Sequence, residues 1–220
     1  MENLTRISRY LMLHSSFIEN VGLLNGKMGI VLFFFYYSKF SKKKIHSIFA
    51  YELLNQIYEN LYENLSWDFS TGLTGIGYST LCLLNNKFVY TDSNDILEVV
   101  DQKIINLEID SLIHPKKYFE LEMLYYYLYF RLEYINSLIS KTEIINKMIC
   151  IKNFLFNNHI NGYANIIHFE YIKNTSIDIT IKELIYQIEY KASELFINER
   201  NICIENGGYS GIGLKILWSK

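Results

Sequence analysis

The sequence is poor in the residues that punctuate a chain. Among 220 residues there is one proline, Pro115. Proline removes a backbone donor and breaks helix interiors and central strands alike, so its near absence fits long helices better than a turn-rich β fold. Cysteine is scarce as well: Cys82, Cys150 and Cys203 stand far apart, with no Cys-x-x-Cys pair, which suits a reducing compartment. An excess of one charge is missing, since 21 Lys and Arg against 23 Asp and Glu leave −2. The chain as a whole therefore has no basic field to gather nucleic acid or anionic lipid. Long apolar runs are missing too. The stretch from Ile30 to Tyr37 falls well short of the roughly 20 residues a membrane span requires. Met1 to Arg6 lacks the basic end and apolar run of a secretory signal. The expectation is a cytoplasmic protein without a membrane span and without nucleic-acid partners.

Apolar residues make up 50% of the sequence and aromatic residues 16%, enough for one domain over 1–220 with a sizeable core. Glycine is spent in a pattern. Gly26-Lys27-Met28-Gly29-Ile30 is answered 46 residues later by Gly72-Leu73-Thr74-Gly75-Ile76, and again by Gly208-Tyr209-Ser210-Gly211-Ile212. A weaker echo, Gly162-Tyr163-Ala164-Asn165-Ile166, lies two steps of 45 after Gly72 and 46 before Gly208, while the register near Lys117 has no glycine. A fixed period of this length marks one supersecondary unit per repeat. Glycine inside a helix costs roughly 1 kcal/mol against alanine, so repeating it at one register implies a steric demand. Close approach of two helices meets that demand, and so does a turn with positive φ before each helix.

Taken in order, apolar and one-sided segments alternate. A helix over 4–19 is followed by a connection in which Asn25 is placed to cap the next helix. That helix, Gly26 to Lys39, is apolar on every side and therefore expected to be buried all round. Ile45 to Leu65 carries its apolar residues on one stripe, as an outer helix does. Gly72 to Leu84 reads as inner, and Asn94 to Ile105 as outer, with Asp101 on its polar side. Tyr118 to Leu138 is the next inner segment. Thr142 is placed to cap an outer helix with Ile145, Met148, Ile149 and Phe154 on its apolar side. Tyr163 to Ile172 is a poorer inner segment. Thr180-Ile181-Lys182-Glu183 matches a capping box opening another outer helix, and Gly207 to Trp218 is inner again. The expected class is all-α: a curved stack of helical hairpins in two layers.

Gly22-Leu23-Leu24-Asn25-Gly26-Lys27-Met28-Gly29-Ile30, Gly72-Leu73-Thr74-Gly75-Ile76-Gly77 and Asn206-Gly207-Gly208-Tyr209-Ser210-Gly211-Ile212-Gly213-Leu214 resemble the glycine motifs of the lanthionine synthetase C-like family, the cyclases of modified-peptide pathways. The resemblance implies an α/α toroid, with inner helices forming a barrel inside a ring of outer ones. It also implies a place in the maturation of a ribosomally made peptide, with a precursor peptide or a peptide-modifying enzyme as partner. Cyclases of the family hold zinc through two Cys and one His, one Cys directly preceding that His. No Cys-His pair occurs here, and Trp67 is followed by Asp68 where a Trp-Cys-Tyr-Gly stretch would stand. Zinc is what lowers the substrate thiol's pKa for addition to a dehydrated residue. Without its ligands the cyclase activity does not carry over, and a non-catalytic binding member without cofactor is expected. Five registers also fall short of the roughly six or seven hairpins of a closed ring. The ring is then incomplete, closes with fewer units, or is completed by an oligomeric partner.

Several residues remain as candidates for chemistry. His114 and His159 lie three before their registers and Cys203 five before Gly208, offsets that would bring a displaced His/His/Cys metal site together in adjacent loops. Against it, a lone cysteine is usually a small buried hydrophobe. Asp68, with Trp67 and Tyr78, marks a candidate acidic, aromatic-lined pocket. Paired with Asp92, Asp95 or Glu205 it would give the two carboxylates of a glycosidase. Arg131 reads as a surface residue with a buried stem, the alternative being an anion clamp. The competing functions are a cyclase with rearranged metal ligands, a carbohydrate enzyme using acidic residues, and an interaction domain with a concave face.

Overall fold

A computed structural model describes residues 2–62, 65–90, 93–108, 117–135, 138–157, 176–187, 202–204 and 208–219. Among them there are helices and no strands. The helices are α1 (Glu2–His14), α2 (Lys27–Ser41), α3 (Lys44–Glu59), α4 (Leu73–Asn85), α5 (Ser93–Ile105), α6 (Tyr118–Arg131), α7 (Leu138–Asn157), α8 (Ile177–Gln187) and α9 (Tyr209–Trp218). The echo at Gly162 and the segment Tyr163 to Ile172 lie outside the described residues.

Neighbouring helices pair in a regular order. α9 packs on α2, α2 on α4 and α4 on α6, so the three glycine helices are consecutive neighbours. α1 packs on α9, α3 on α2, α5 on α4 and α7 on α6. In α4 every residue from Leu73 to Leu83 is buried, and in α2 the run Met28 to Phe35 is buried. In α3 only the stripe of Ala50, Leu53, Leu54 and Ile57, with His46, turns inward. One apolar cluster extends from Leu4 in α1 to Leu214 in α9. α8 packs on both α4 and α9.

The helix starts depart from the expected ones, and for a common reason. The N-caps are Gly26, Gly72 and Gly208, without a side-chain hydrogen bond; Asn25 instead gives its backbone N–H to the Ser70 carbonyl, 3.1 Å away. All three glycines are extended, at φ −149°, −129° and −69°, so no positive φ is needed. What requires glycine is space. The loop entering each helix folds back over its first turn and accepts its amides, Lys27 N–H on the Asn20 carbonyl at 2.9 Å and Leu73 N–H on the Ser66 carbonyl at 2.8 Å. Each bond spans seven residues and satisfies a first-turn amide that has no partner within the helix. A Cβ on Gly72 would stand 2.0 Å from the Ser66 carbonyl oxygen, and one on Gly208 1.7 Å from that of Cys203. The second glycine meets the same loop: a Cβ on Gly75 would lie 2.0 Å from the Phe69 oxygen, and one on Gly29 2.6 Å from that of Leu23. Gly211, the corresponding residue of the last motif, is buried in α9.

Three other expectations are corrected. α7 begins at Leu138, so Thr142 lies inside it, and its core face is Ile144, Met148, Ile151 and Leu155 rather than Ile145 and Ile149, which are exposed. Isoleucines at adjacent positions make the two faces look alike in sequence, and packing against α6 chooses between them. α8 begins at Ile177, three residues before the apparent capping box, and Asp178 in its first turn accepts from the Asn85 and Asn86 side chains at 2.7 and 2.6 Å. α6 ends at Arg131, short of Leu138.

Replacing Gly75 by Ala drives a methyl group into loop backbone that cannot step aside. The expected loss is about 3 kcal/mol of unfolding free energy in urea titration. A change within about 0.5 kcal/mol, the range of an innocuous surface substitution, contradicts the assignment.

Candidate functional site

The entry loops do more than start helices; they bond to one another in series. Ile204 N–H donates to the Leu24 carbonyl at 2.9 Å, and Leu24 N–H donates to the Ser70 carbonyl at 3.0 Å. A Cβ on Gly22 would be 2.3 Å from the Cα of Thr71, so the first two loops run backbone against backbone. Leu24 and Ser70 each stand two residues before their register glycine. The next link in this order is Ser70 N–H, and the following unit has no glycine loop to receive it.

Glu120, in the first turn of α6, takes that place. Its Oε2 accepts from Ser70 N–H at 3.3 Å and from Phe69 N–H, and its Oε1 accepts the Ser70 hydroxyl at 2.7 Å. Burial raises the Glu120 carboxyl above its usual range, the Ser70 and Phe69 donors pull it back down, and Asp68 nearby adds to the rise. This is the carboxylate the fold brings beside Asp68. Its signal in the sequence was an acidic residue at the start of the helix whose register lacks glycine. Asp92, Glu205 and the Asp95 side chain lie outside the described residues.

The three residues of the expected pocket go to different neighbours. Asp68 turns on its own loop: Oδ1 accepts Thr71 N–H at 2.6 Å and the Thr71 hydroxyl at 2.7 Å, and Oδ2 accepts the Ser66 hydroxyl. Trp67 is buried, with the Lys117 ammonium 5.1 Å from its ring centroid, a cation–π contact. Tyr78 is buried in α4, edge-on to Phe69 and Phe130, and its hydroxyl donates to the Ile177 carbonyl at 3.3 Å. Of the candidate metal ligands, His114 and His159 lie outside the described residues. Cys203 is half-buried in the last entry loop and forms no disulfide. Among the described residues no three His, Cys, Asp or Glu side chains come together as a metal site.

Arg131 is not the surface residue its sequence context favoured. It is 2% exposed, and its Nε donates to Asp101 Oδ2 at 2.8 Å. Tyr127 donates to the other oxygen at 2.6 Å. Asp101, expected on the polar side of α5, is therefore inside. Burial pushes its carboxyl up against the opposing pull of Arg131 and Tyr127. Tyr127 lies where a Cβ on Gly77 would be, 2.5 Å from its ring. The missing side chain of α4 lets a tyrosine of α6 pass to an aspartate of α5.

A cleft of about 520 Å³ lies between the end of α5 and α7. Ile105, Leu107 and Phe154 supply apolar lining, and Glu143, Lys147 and Cys150 supply polar groups. Lys147 spans it to donate to the Leu107 carbonyl, and burial lowers its ammonium pKa. Its volume falls within the range of ligand-binding clefts. No known protein family, curated protein or solved structure matches this chain.

Replacing Arg131 by Met strands a buried carboxylate and is expected to cost about 3–5 kcal/mol, whereas Asp101→Leu with Arg131→Met costs no more than about half as much. Urea unfolding of the two variants measures both. Near-wild-type stability of Arg131→Met would contradict a buried Asp101 carboxylate that depends on the guanidinium.

Proposed function

We propose that this chain is a lanthionine synthetase C-like protein that binds a peptide, or a peptide-modifying enzyme, without zinc and without catalysing cyclisation. The observation that carries the reading is the entry geometry shared by the motifs at Gly26 and Gly72. In each, a loop folds back onto a side-chain-free first turn and hands its amides to the next unit. The order α9, α2, α4, α6, with one helix behind each, is the order expected for successive units of an α/α toroid. The packing of α9 on α2 supports a ring that closes with few units. Binding rather than chemistry is favoured by how the site carboxylates are used: Asp68 and Glu120 both hold loop amides and hydroxyls in place. The cleft between α5 and α7 is the seat this reading assigns to the peptide.

The test is enrichment of a displayed peptide library by the immobilised chain. Sequences rich in Ser, Thr and Cys should be retained, with affinity unchanged by EDTA and weakened at least about tenfold by Cys150→Arg, which fills the cleft. A dehydrated, cysteine-containing peptide incubated with the chain should keep its free thiols. No enrichment, loss of binding on chelation, or thioether formation would each overturn the proposal.

A further inference from the structure

The near-neutral total charge hides a strong local asymmetry. No Asp or Glu occurs between Glu19 and Glu52, nor between Asp68 and Asp92. Within those stretches Lys39, Lys42, Lys43 and Lys44 are exposed around the α2–α3 turn, and Lys87 is exposed in the turn after α4. The two turns share one edge of the molecule. The Lys39 ammonium is 5.7 Å from the Phe88 ring centroid, and the Tyr51 hydroxyl donates to the Phe88 carbonyl at 2.6 Å. Phe35 lies beneath both, 5.5 Å from Phe88 and 5.0 Å from Tyr51. Asp178 is the carboxylate bonded to this edge among the described residues, and it is held by the amides of Asn85 and Asn86.

The same edge exposes large apolar side chains. Ile45 is 57% exposed, Ile48 51%, Tyr90 86% and Phe40 37%. Ile45 and Ile48 follow the lysine triplet on the first turns of α3 and stand three apart, so they project from one face. We propose that this edge is a docking surface for an anionic lipid membrane. Ile45, Ile48, Phe40 and Tyr90 would enter the boundary between headgroups and acyl chains, and the five lysines would lie among the headgroups, their alkyl stems running along the apolar side chains. A nucleic acid would use the lysines alike, but gives no account of two bare isoleucines in their midst. Membrane docking leaves the cleft between α5 and α7 untouched and stands apart from the peptide-binding reading.

Vesicle flotation of the full chain tests it. The chain should float with phosphatidylcholine vesicles containing roughly 30% phosphatidylserine and stay behind with phosphatidylcholine alone. Lys42→Asn with Lys43→Gln and Lys44→Gln, in which Asn suits the left-handed backbone at Lys42 (φ 57°), should lower the partition coefficient at least about tenfold. Ile45→Ser with Ile48→Ser should lower it by a similar factor at unchanged lysine content. All five positions are exposed, so melting temperatures near wild type confirm that both variants fold. Equal flotation with the two kinds of vesicle, or none with either, overturns the proposal. So does binding that ignores the isoleucines and is matched by salt-sensitive retention on polyglutamate or RNA, which assigns the edge to an acidic macromolecule.

Discussion

The structure depends on one close contact: loop backbone lying against the first turn of a helix, at a distance no Cβ tolerates. At Gly72 and Gly75 the clearance to a carbonyl oxygen would be 2.0 Å. The contact settles two problems together. Helix starts expose amides with no partner in the helix, and here loop carbonyls receive them. Glycine in a first turn loses roughly 1 kcal/mol of helix propensity, and the compensation is a set of backbone hydrogen bonds that a capping side chain would otherwise supply. The same loops, once fixed, present their remaining amides and carbonyls to the neighbouring unit.

Where a unit departs from this plan, a charged side chain replaces backbone. Glu120 stands where a third glycine loop would offer a carbonyl, and it gathers two amides and a hydroxyl from the second loop. Farther along α6, Arg131 and Tyr127 converge on Asp101, so the helix without a glycine motif is joined to α5 by buried polar contacts. Such a pair adds little net stability over well-packed apolar residues, yet it penalises every arrangement that separates its members. Together these contacts fix α6 against α4 at one end and α5 at the other.

How much of this was legible follows the same physics. The period of the glycines and the all-round apolarity of α2 and α4 are properties of the chain itself, and the helical class and the burial of these two helices could be read from them. The reason for the glycines could not, because extended φ at Gly26 and Gly72 leaves no mark in the sequence and the obstructing atoms are backbone. Asp101 and Arg131 were assigned to the surface because charge is normally solvated; they lie 30 residues apart, and only the tertiary fold makes them partners. Of the expected pocket, Asp68 was found beside a carboxylate, but that carboxylate was Glu120, whose partners are backbone amides invisible to a search for paired acids. The net charge of −2 likewise gave no hint that five lysines share one edge.

The central claim is that the entry loops are a bonded series as firm as the helices they start. Native-state amide hydrogen exchange reads it directly. The amides of Leu24, Ser70 and Ile204 should exchange with protection comparable to the buried centres of α2 and α4, opening only in the largest unfolding events. Exchange of these three at the rate of exposed loop amides, while α2 and α4 remain protected, would contradict the account.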